Sequence, residues 1–372
     1  MHFIYVILIF CIVLFLYLHV YFHLKTSNDL EIYEIDHPSK DKLEEICDLK
    51  QPVFFNFNNE RILETCQRHT ILDTYGAFDV KIRNIVNEKD TNIYVPLAFS
   101  NALKLVKEDR ETTYLVENNG DFLEETGIIK SYKYNDAFLR PYMVSHCAYD
   151  FLMAGAGVRT PFRYELNYRN YLLVAEGAVK VKMAPPKSSK YLYPQNDYEN
   201  LEFSSPLNPW DIQAQYKADF DKIKCLDVRM TKGQILYLPP YWWYSIEFGQ
   251  EASVCSFKYK TYMNTVSILP QLVMKVLQTQ NVKRNHMEKM KMVAVKEEIP
   301  KGDALSNPKG SALSNPTASG IAPTSSGIAP TSSGISPTVS IMGSSVDIMP
   351  TILEEPSSYS SIQSTEINNL PL

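Results

Sequence analysis

Thr160-Pro161-Phe162-Arg163-Tyr164-Glu165 and, far downstream, Gly233-Gln234-Ile235-Leu236-Tyr237-Leu238-Pro239-Pro240-Tyr241-Trp242-Trp243-Tyr244 are the stretches on which the fold turns. In the first, Arg163 and Glu165 stand at i and i+2. On an extended strand that spacing sends both side chains to the same face. In the second, Ile235 to Leu238 reads as a strand stopped by two prolines, with Trp242 and Trp243 beyond it. Gly155, Gly157, Pro161, Pro185, Pro186, Gly233, Pro239 and Pro240 punctuate the region as turns, and the tryptophans supply core.

Around these stretches the chain is strand-rich. Tyr171 to Ala175 and Val179 to Met183 flank Glu176-Gly177, which reads as a hairpin-like turn. Residues 184–210 are rich in Pro, Ser and Asn and read as a long loop; Trp210 to Asp221 reads as helical. Val228 to Met230 and Ser253 to Tyr259 read as strands, and Leu269 to Gln278 as a closing helix with Leu272, Val273, Val276 and Leu277 on one face. Upstream, Ser39 caps a short helix before the strand Pro52 to Phe57. Helix over 60–73, strand over 77–85 and helix over 97–107 follow.

The two ends differ from this middle. Residues 3–22 are apolar apart from His19, long enough to cross the hydrocarbon core of a bilayer as a helix. No Lys or Arg precedes the run and no A-x-A site follows it, so it reads as an uncleaved single-pass anchor rather than a cleaved signal peptide. Lys25, Lys40 and Lys42 come after it, and the positive-inside rule then predicts a body on the cytoplasmic side. From 281 onward the chain carries short Ser/Thr/Pro/Gly repeats, such as Ser319-Gly320-Ile321-Ala322-Pro323-Thr324, which cannot bury a core. The expected organisation is therefore 1–24 anchor, 30–280 folded domain and 281–372 disordered tail.

Composition excludes some functions. Net charge is −5, with no basic stripe for nucleic acid. The six cysteines form no C-x-x-C pair, which argues against a zinc site, and the five outside the first apolar run read as reduced core residues. The chain has no usable N-x-S/T sequon, consistent with a body outside the glycosylating lumen.

The order and spacing of the Thr160-Pro161, Gly177 to Pro186 and Gly233 to Tyr244 segments resemble the Jumonji C and cupin-like oxygenase family over roughly residues 30–280. The resemblance implies a mainly β fold with flanking helices, a double-stranded β-helix (jelly-roll, cupin-like) barrel, here preceded by one transmembrane helix. Members of that family hold Fe(II) with two histidines and a carboxylate from T-P-x-H-x-D and a distant W-W-H, and bind 2-oxoglutarate through a lysine after the hairpin glycine. In this chain Arg163 and Tyr244 stand at the histidine positions and Glu165 at the aspartate. Arginine has no lone pair to give, and a tyrosine ligates only as phenolate, with an ordinary pKa of about 10. Lys180 sits one place later than the family lysine, a shift that turns a strand side chain to the other face. Thr160 and Asn170 match pocket-lining positions, and Lys180, Trp242 and Trp243 are further pocket candidates. None of the histidines falls in either motif; His146 is the nearest.

The expectation is a catalytically inactive binding or scaffolding module with no metal and no cofactor. In it, Arg163 and Glu165 pair with each other and Tyr244 joins them. An Fe(II)/2-oxoglutarate hydroxylase with an atypical centre and a metal-free, small-ligand-binding cupin barrel are the alternatives. The membrane, through residues 3–22, is the one partner the sequence names.

Overall fold

Two β-sheets form the body of the protein, and the computed structural model describes residues 2–85, 93–134 and 136–280. The larger sheet runs, edge to edge, through Tyr33–Ile35, Val53–Asn56, Gln234–Leu238, Arg169–Glu176, Ser253–Thr261, Val144–Ala154, Tyr114–Val116, Asp79–Asn84 and Val95–Ala98. The smaller runs through Gln195–Asp197, Glu202–Ser205, Phe162–Tyr164, Trp243–Phe248, Ala178–Ala184 and Leu226–Thr231. Tyr33–Ile35 pairs in parallel with Val53–Asn56. The paired strands around the site are antiparallel.

The period of two along each strand decides what is buried where. Leu152, Val174, Leu236 and Val254 of the larger sheet meet Val181, Met183, Ile246 and Phe248 of the smaller in one apolar cluster. Their neighbours Phe151, Leu173, Cys255 and Phe257 point the opposite way. They pack under Ile62, Phe99, Leu103 and Phe122 of the flanking helices. Each fully buried aliphatic or phenyl side chain contributes roughly 1.5–3 kcal/mol, so both faces of the larger sheet stabilise the fold. This is the mainly β, helix-flanked, cupin-like layout that the motifs predict.

Several local readings change. Tyr171 to Ala175 and Val179 to Met183 do not pair as a hairpin; they belong to different sheets. Gly177 is the corner between them. Its φ is +71°, and a Cβ there would lie 2.6 Å from the Gln250 carbonyl oxygen, so a side chain is excluded. The long loop over 184–210 contains a short 3-10 helix, Pro186–Tyr191, and the strands Gln195–Asp197 and Glu202–Ser205. The helix expected over 60–73 is broken into Glu60–Thr65 and Arg68–Tyr75. Helical turns between Trp210 and Asp221 are confined to Ala214–Tyr216 and Lys217–Phe220. Ser39 does cap Lys40–Cys47, its hydroxyl accepting from Lys42 N at 3.3 Å. The cysteines of the described residues are free thiols.

His2–Leu24 is one helix, long and apolar enough to cross a membrane. Its far end is held by the body: His23 is buried, 3.3 Å from the Thr261 hydroxyl and with its ring against Tyr168. The short helix Tyr262–Ser267 packs beside it, and residues 269–280 continue as helix. The expected disordered tail, 281–372, lies outside the described residues.

Candidate functional site

Phe162–Tyr164 and Trp243–Phe248 are hydrogen-bonded neighbours, with Tyr244 directly opposite Arg163. Glu165 follows at the end of the first strand. Glu202–Ser205 pairs along the other edge of Phe162–Tyr164 and brings Glu202 to the same region. From the facing sheet come Glu117, just past Tyr114–Val116, Asp150 on Val144–Ala154 and Lys258 on Ser253–Thr261. These side chains line a cavity of ≈170 Å³ between the sheets. Arg163, Glu165 and Tyr244 therefore do converge, as their positions in the motif imply.

Their pairing differs from the expectation. Arg163 does not turn to Glu165; its guanidinium donates to both carboxylate oxygens of Glu117, Nη2 at 2.8 Å and Nη1 at 3.3 Å. Arg83 closes on the same carboxylate from the other side. Glu202 lies 3.3 Å from Arg83 and 3.9 Å from Arg163, completing a cluster of two guanidinium groups and two carboxylates. Glu165 is neutralised separately. Lys258 Nζ donates to its Oε1 at 2.7 Å and the Tyr244 hydroxyl donates to the same oxygen at 3.2 Å. Asn167 Nδ2 donates to Oε2 at 3.3 Å. The physical reason is supply: buried charges take the nearest opposite charge, and the facing sheet offers Glu117 to Arg163 and Lys258 to Glu165.

The protonation states follow. Burial would raise the Glu117 carboxyl, but Arg163 and Arg83 overcome it and hold the group at about 2. Burial likewise opposes ionisation of Glu165, and Lys258 and Arg163 reverse it, lowering its pKa. Lys258 stays charged: burial works against it, and Glu165 raises it well above its ordinary value. Burial, with Glu165 alongside, pushes the Tyr244 phenol up to about 12 against the pull of Arg163. Tyr244 is thus a neutral hydroxyl committed as a donor.

These residues do not fit the family's Fe(II). A guanidinium gives no electron pair. A phenol with a raised pKa is not a phenolate, and the Glu165 carboxylate already accepts from a lysine and a hydroxyl on Oε1 and from an amide on Oε2. Two cations, Arg163 and Lys258, occupy the region where a dication would need negative charge. Among the described residues there is no group of three His, Cys, Asp or Glu placed to hold a metal.

The other candidates are placed as follows. Thr160 is a strand clasp: its hydroxyl accepts from Ile246 N at 2.9 Å and its carbonyl accepts from Ser245 Oγ at 2.6 Å. Asn170 lies one layer behind the cavity, accepting from Asn167 at 3.1 Å and donating to the Leu238 carbonyl at 3.3 Å. Lys180 is on the outer face, 59% exposed and 3.2 Å from Glu247, so it is not a pocket residue. The alternation of Val179, Val181 and Met183 into the core forces it outward. Trp242 and Trp243 are buried and do not line the charged cavity. Trp242 packs in the cluster between the sheets, and Trp243 lies against Phe162 and Tyr164. His146 is exposed and far from a ligand role.

Glu117, Glu202, Asp150 and Lys258 were missed by the sequence reading. Asp150, on the strand face of Leu152 and Ala154, and Lys258 carry a signal. Lys258 shares its strand face with Val254 and Ser256, so a charge there points between the sheets, not to solvent.

Comparison with known proteins gives the same family. A family model described as a cupin-like domain matches residues 77–265, just over half of the chain. Among curated proteins, HSPB1-associated protein 1 of Rattus norvegicus, Mus musculus and Homo sapiens are each 26% identical over 92 residues. That stretch is 24% of this chain and 19% of those proteins, so the chain spans about a fifth of the length of the relatives it matches.

Proposed function

The chain belongs to the cupin-like domain family, and we propose that it is a membrane-tethered binding module in which paired charges stand in place of an oxygenase centre. One observation carries this reading: of the three positions that would hold a metal, one is a guanidinium, one a neutral phenol and one a carboxylate already neutralised by Lys258. The tether is His2–Leu24, whose apolar side chains, from Phe3 to Leu18, are exposed on the protein itself and need a nonpolar medium. Lys25, Lys40 and Lys42, which follow the helix, support a body on the cytoplasmic side by the positive-inside rule. The relatives carry the name HSPB1-associated, which favours a protein partner for this chain also. The charge-lined cavity of ≈170 Å³ favours a second reading, a small polar ligand.

The test is direct. The full-length chain, held in lipid nanodiscs, is supplied with Fe(II) and 2-oxoglutarate, and bound iron and released carbon dioxide are measured. The expected result is no stoichiometric iron and no turnover. Stoichiometric iron, with decarboxylation abolished in Glu165→Ala, would overturn the proposal.

A further inference from the structure

The anchor helix and the body share an apolar cleft. Phe15, Leu18 and Phe22 of the helix line it on one side and Met143, Tyr262 and Met263 of the body on the other, around ≈490 Å³. Phe15 precedes Leu24 by nine residues, which at ~1.5 Å per residue is about 13 Å along the axis. The body therefore climbs beside the helix for more than two of its turns. The helix is not free to swing away, because His23 is clasped between Thr261 and Tyr168.

Large apolar side chains of the body at the rim of this cleft are exposed. Met143 is 73% exposed, Tyr142 64% and Tyr262 58%. Met143 holds a left-handed backbone with φ of 56°, a conformation a side-chain-bearing residue adopts at a cost, and it is fixed there by Tyr262 N donating to its carbonyl. Lys40 Nζ lies 5.2 Å from the centre of the Tyr142 ring. An aromatic ring with a cation beside it is the pairing found at headgroup level. The two acids in the cleft, Glu44 and Asp48, lie at its inner end and both pair with Arg169, which offsets one of their two charges. Helical residues 269–280 pack Leu272 against the body but leave other apolar side chains exposed. Leu269, Val273 and Leu277 face outward, while Gln278 bonds inward to Tyr198 and Asp197.

We propose that the body is seated in the bilayer surface and not merely suspended from it. Tyr142, Met143 and Tyr262 lie among the headgroups and first acyl methylenes of the leaflet the anchor crosses, and lipid chains fill the cleft. This inference rests on the anchor reading above. Once His2–Leu24 spans a bilayer with its docked end at the interface, the rim at the height of Phe15 has no other medium to occupy.

The experiment places the photo-reactive amino acid benzoylphenylalanine singly at Phe10, Val95, Met143 or Tyr262 of the full-length chain in phosphatidylcholine vesicles. Irradiation is followed by mass spectrometry of the adducts. Lipid adducts are expected at Met143 and Tyr262 with yields comparable to Phe10. None is expected at Val95, an apolar residue 49% exposed on the edge strand Val95–Ala98. Lipid at Phe10 but none at Met143 and Tyr262 overturns the seat and leaves the anchor intact. No lipid at Phe10 overturns the anchor itself. Crosslinks from Met143 or Tyr262 to a second copy, or to residues 281–372 of the same chain, overturn the seat in favour of a protein cover.

Discussion

Replacing Glu117 by glutamine keeps the side chain's shape and one acceptor oxygen but removes its charge, and the cost can be worked from its surroundings in two independent ways. Glu117 is 4% exposed, Arg83 2% and Arg163 11%. In Glu117→Gln the two guanidinium groups lose their most buried carboxylate, and the charge balance of the cluster shifts by one towards positive. Removing one member of a buried ion pair costs roughly 3–5 kcal/mol. The protonation state gives a second figure. Arg163 and Arg83, working against burial, lower the carboxyl from 4.5 to about 2 in the folded protein. At about 1.36 kcal/mol per pKa unit, that depression contributes about 3 kcal/mol at pH 7.

The sign with pH is fixed by the direction of the shift. A depressed carboxyl stabilises the fold above its unfolded value and loses that contribution as pH falls towards the folded value. The contribution is therefore complete by neutral pH, falls to about 1.4 kcal/mol at pH 3 and vanishes below about 2. Urea unfolding of the full-length chain in nanodiscs, followed through the buried Trp242 and Trp243, measures both. The expected loss in Glu117→Gln is about 3 kcal/mol at pH 7 and less than half that at pH 3. A loss under about 1 kcal/mol at pH 7 would mean that cavity water screens the cluster and the reasoning is wrong. An equal loss at both pH values would mean that Glu117 is not held ionised by the two arginines.

Two further substitutions probe the neighbouring charges by the same unfolding measurement. Lys258→Met leaves Glu165 with Tyr244 and Asn167 alone. It should cost ~1–3 kcal/mol, below the Glu117 figure because the Lys258 and Glu165 side chains are 28% and 15% exposed; adding Glu165→Gln should recover most of the loss, and no recovery would deny the pairing. Lys50 is buried with no hydrogen-bond partner for Nζ among the described residues, its amine 3.9 Å from the Tyr168 ring centre. Burial and then Arg169 lower its pKa from 10.5 to about 7, so the fold gains stability as pH rises from about 7 to 10.5. Lys50→Met should therefore be more stable than the parent by ~1–3 kcal/mol at pH 6 and show no such gain at pH 10; a destabilised variant at pH 6 would show that the cation on the aromatic ring outweighs its burial.

The strands that carry the site were legible because their apolar residues alternate or run continuously and their ends are marked by Gly and Pro. The convergence of positions 163, 165 and 244 was legible for the same reason. What was not legible depends on long-range pairing. Glu176-Gly177 reads alike whether the chain folds back on itself or turns a corner between sheets, and only the approach of Gln250 to Gly177 distinguishes the two. Glu202–Ser205 has no apolar pattern of its own. It is a strand because Phe162–Tyr164 offers it an edge. The partner of Arg163 was out of reach of any local rule, since Glu117 is 46 residues away and sits on the facing sheet.

The separate pairing of Arg163 and Glu165 has a consequence for what this site can become. If the guanidinium had closed on Glu165, exchanging the one residue for a ligand would have left a carboxylate ready for a cation. Instead the two charges are bound into different sets. Arg163 answers Glu117 and Glu202 jointly with Arg83, and Glu165 answers Lys258. Arg163→His alone leaves two carboxylates facing one arginine, while Lys258 continues to hold Glu165 Oε1. Tyr244→His alone removes a hydroxyl donor and frees no oxygen from the lysine. A ligand set would require coordinated change at 163, 244 and 258, with a compensating loss at 117. The steps at 163, 258 and 117 each pass through an unpaired buried charge at roughly 3–5 kcal/mol, a large part of the ~5–15 kcal/mol that holds a domain folded. The charge pairs are thus more than a substitute that fills the space: they hold the site in its present chemistry.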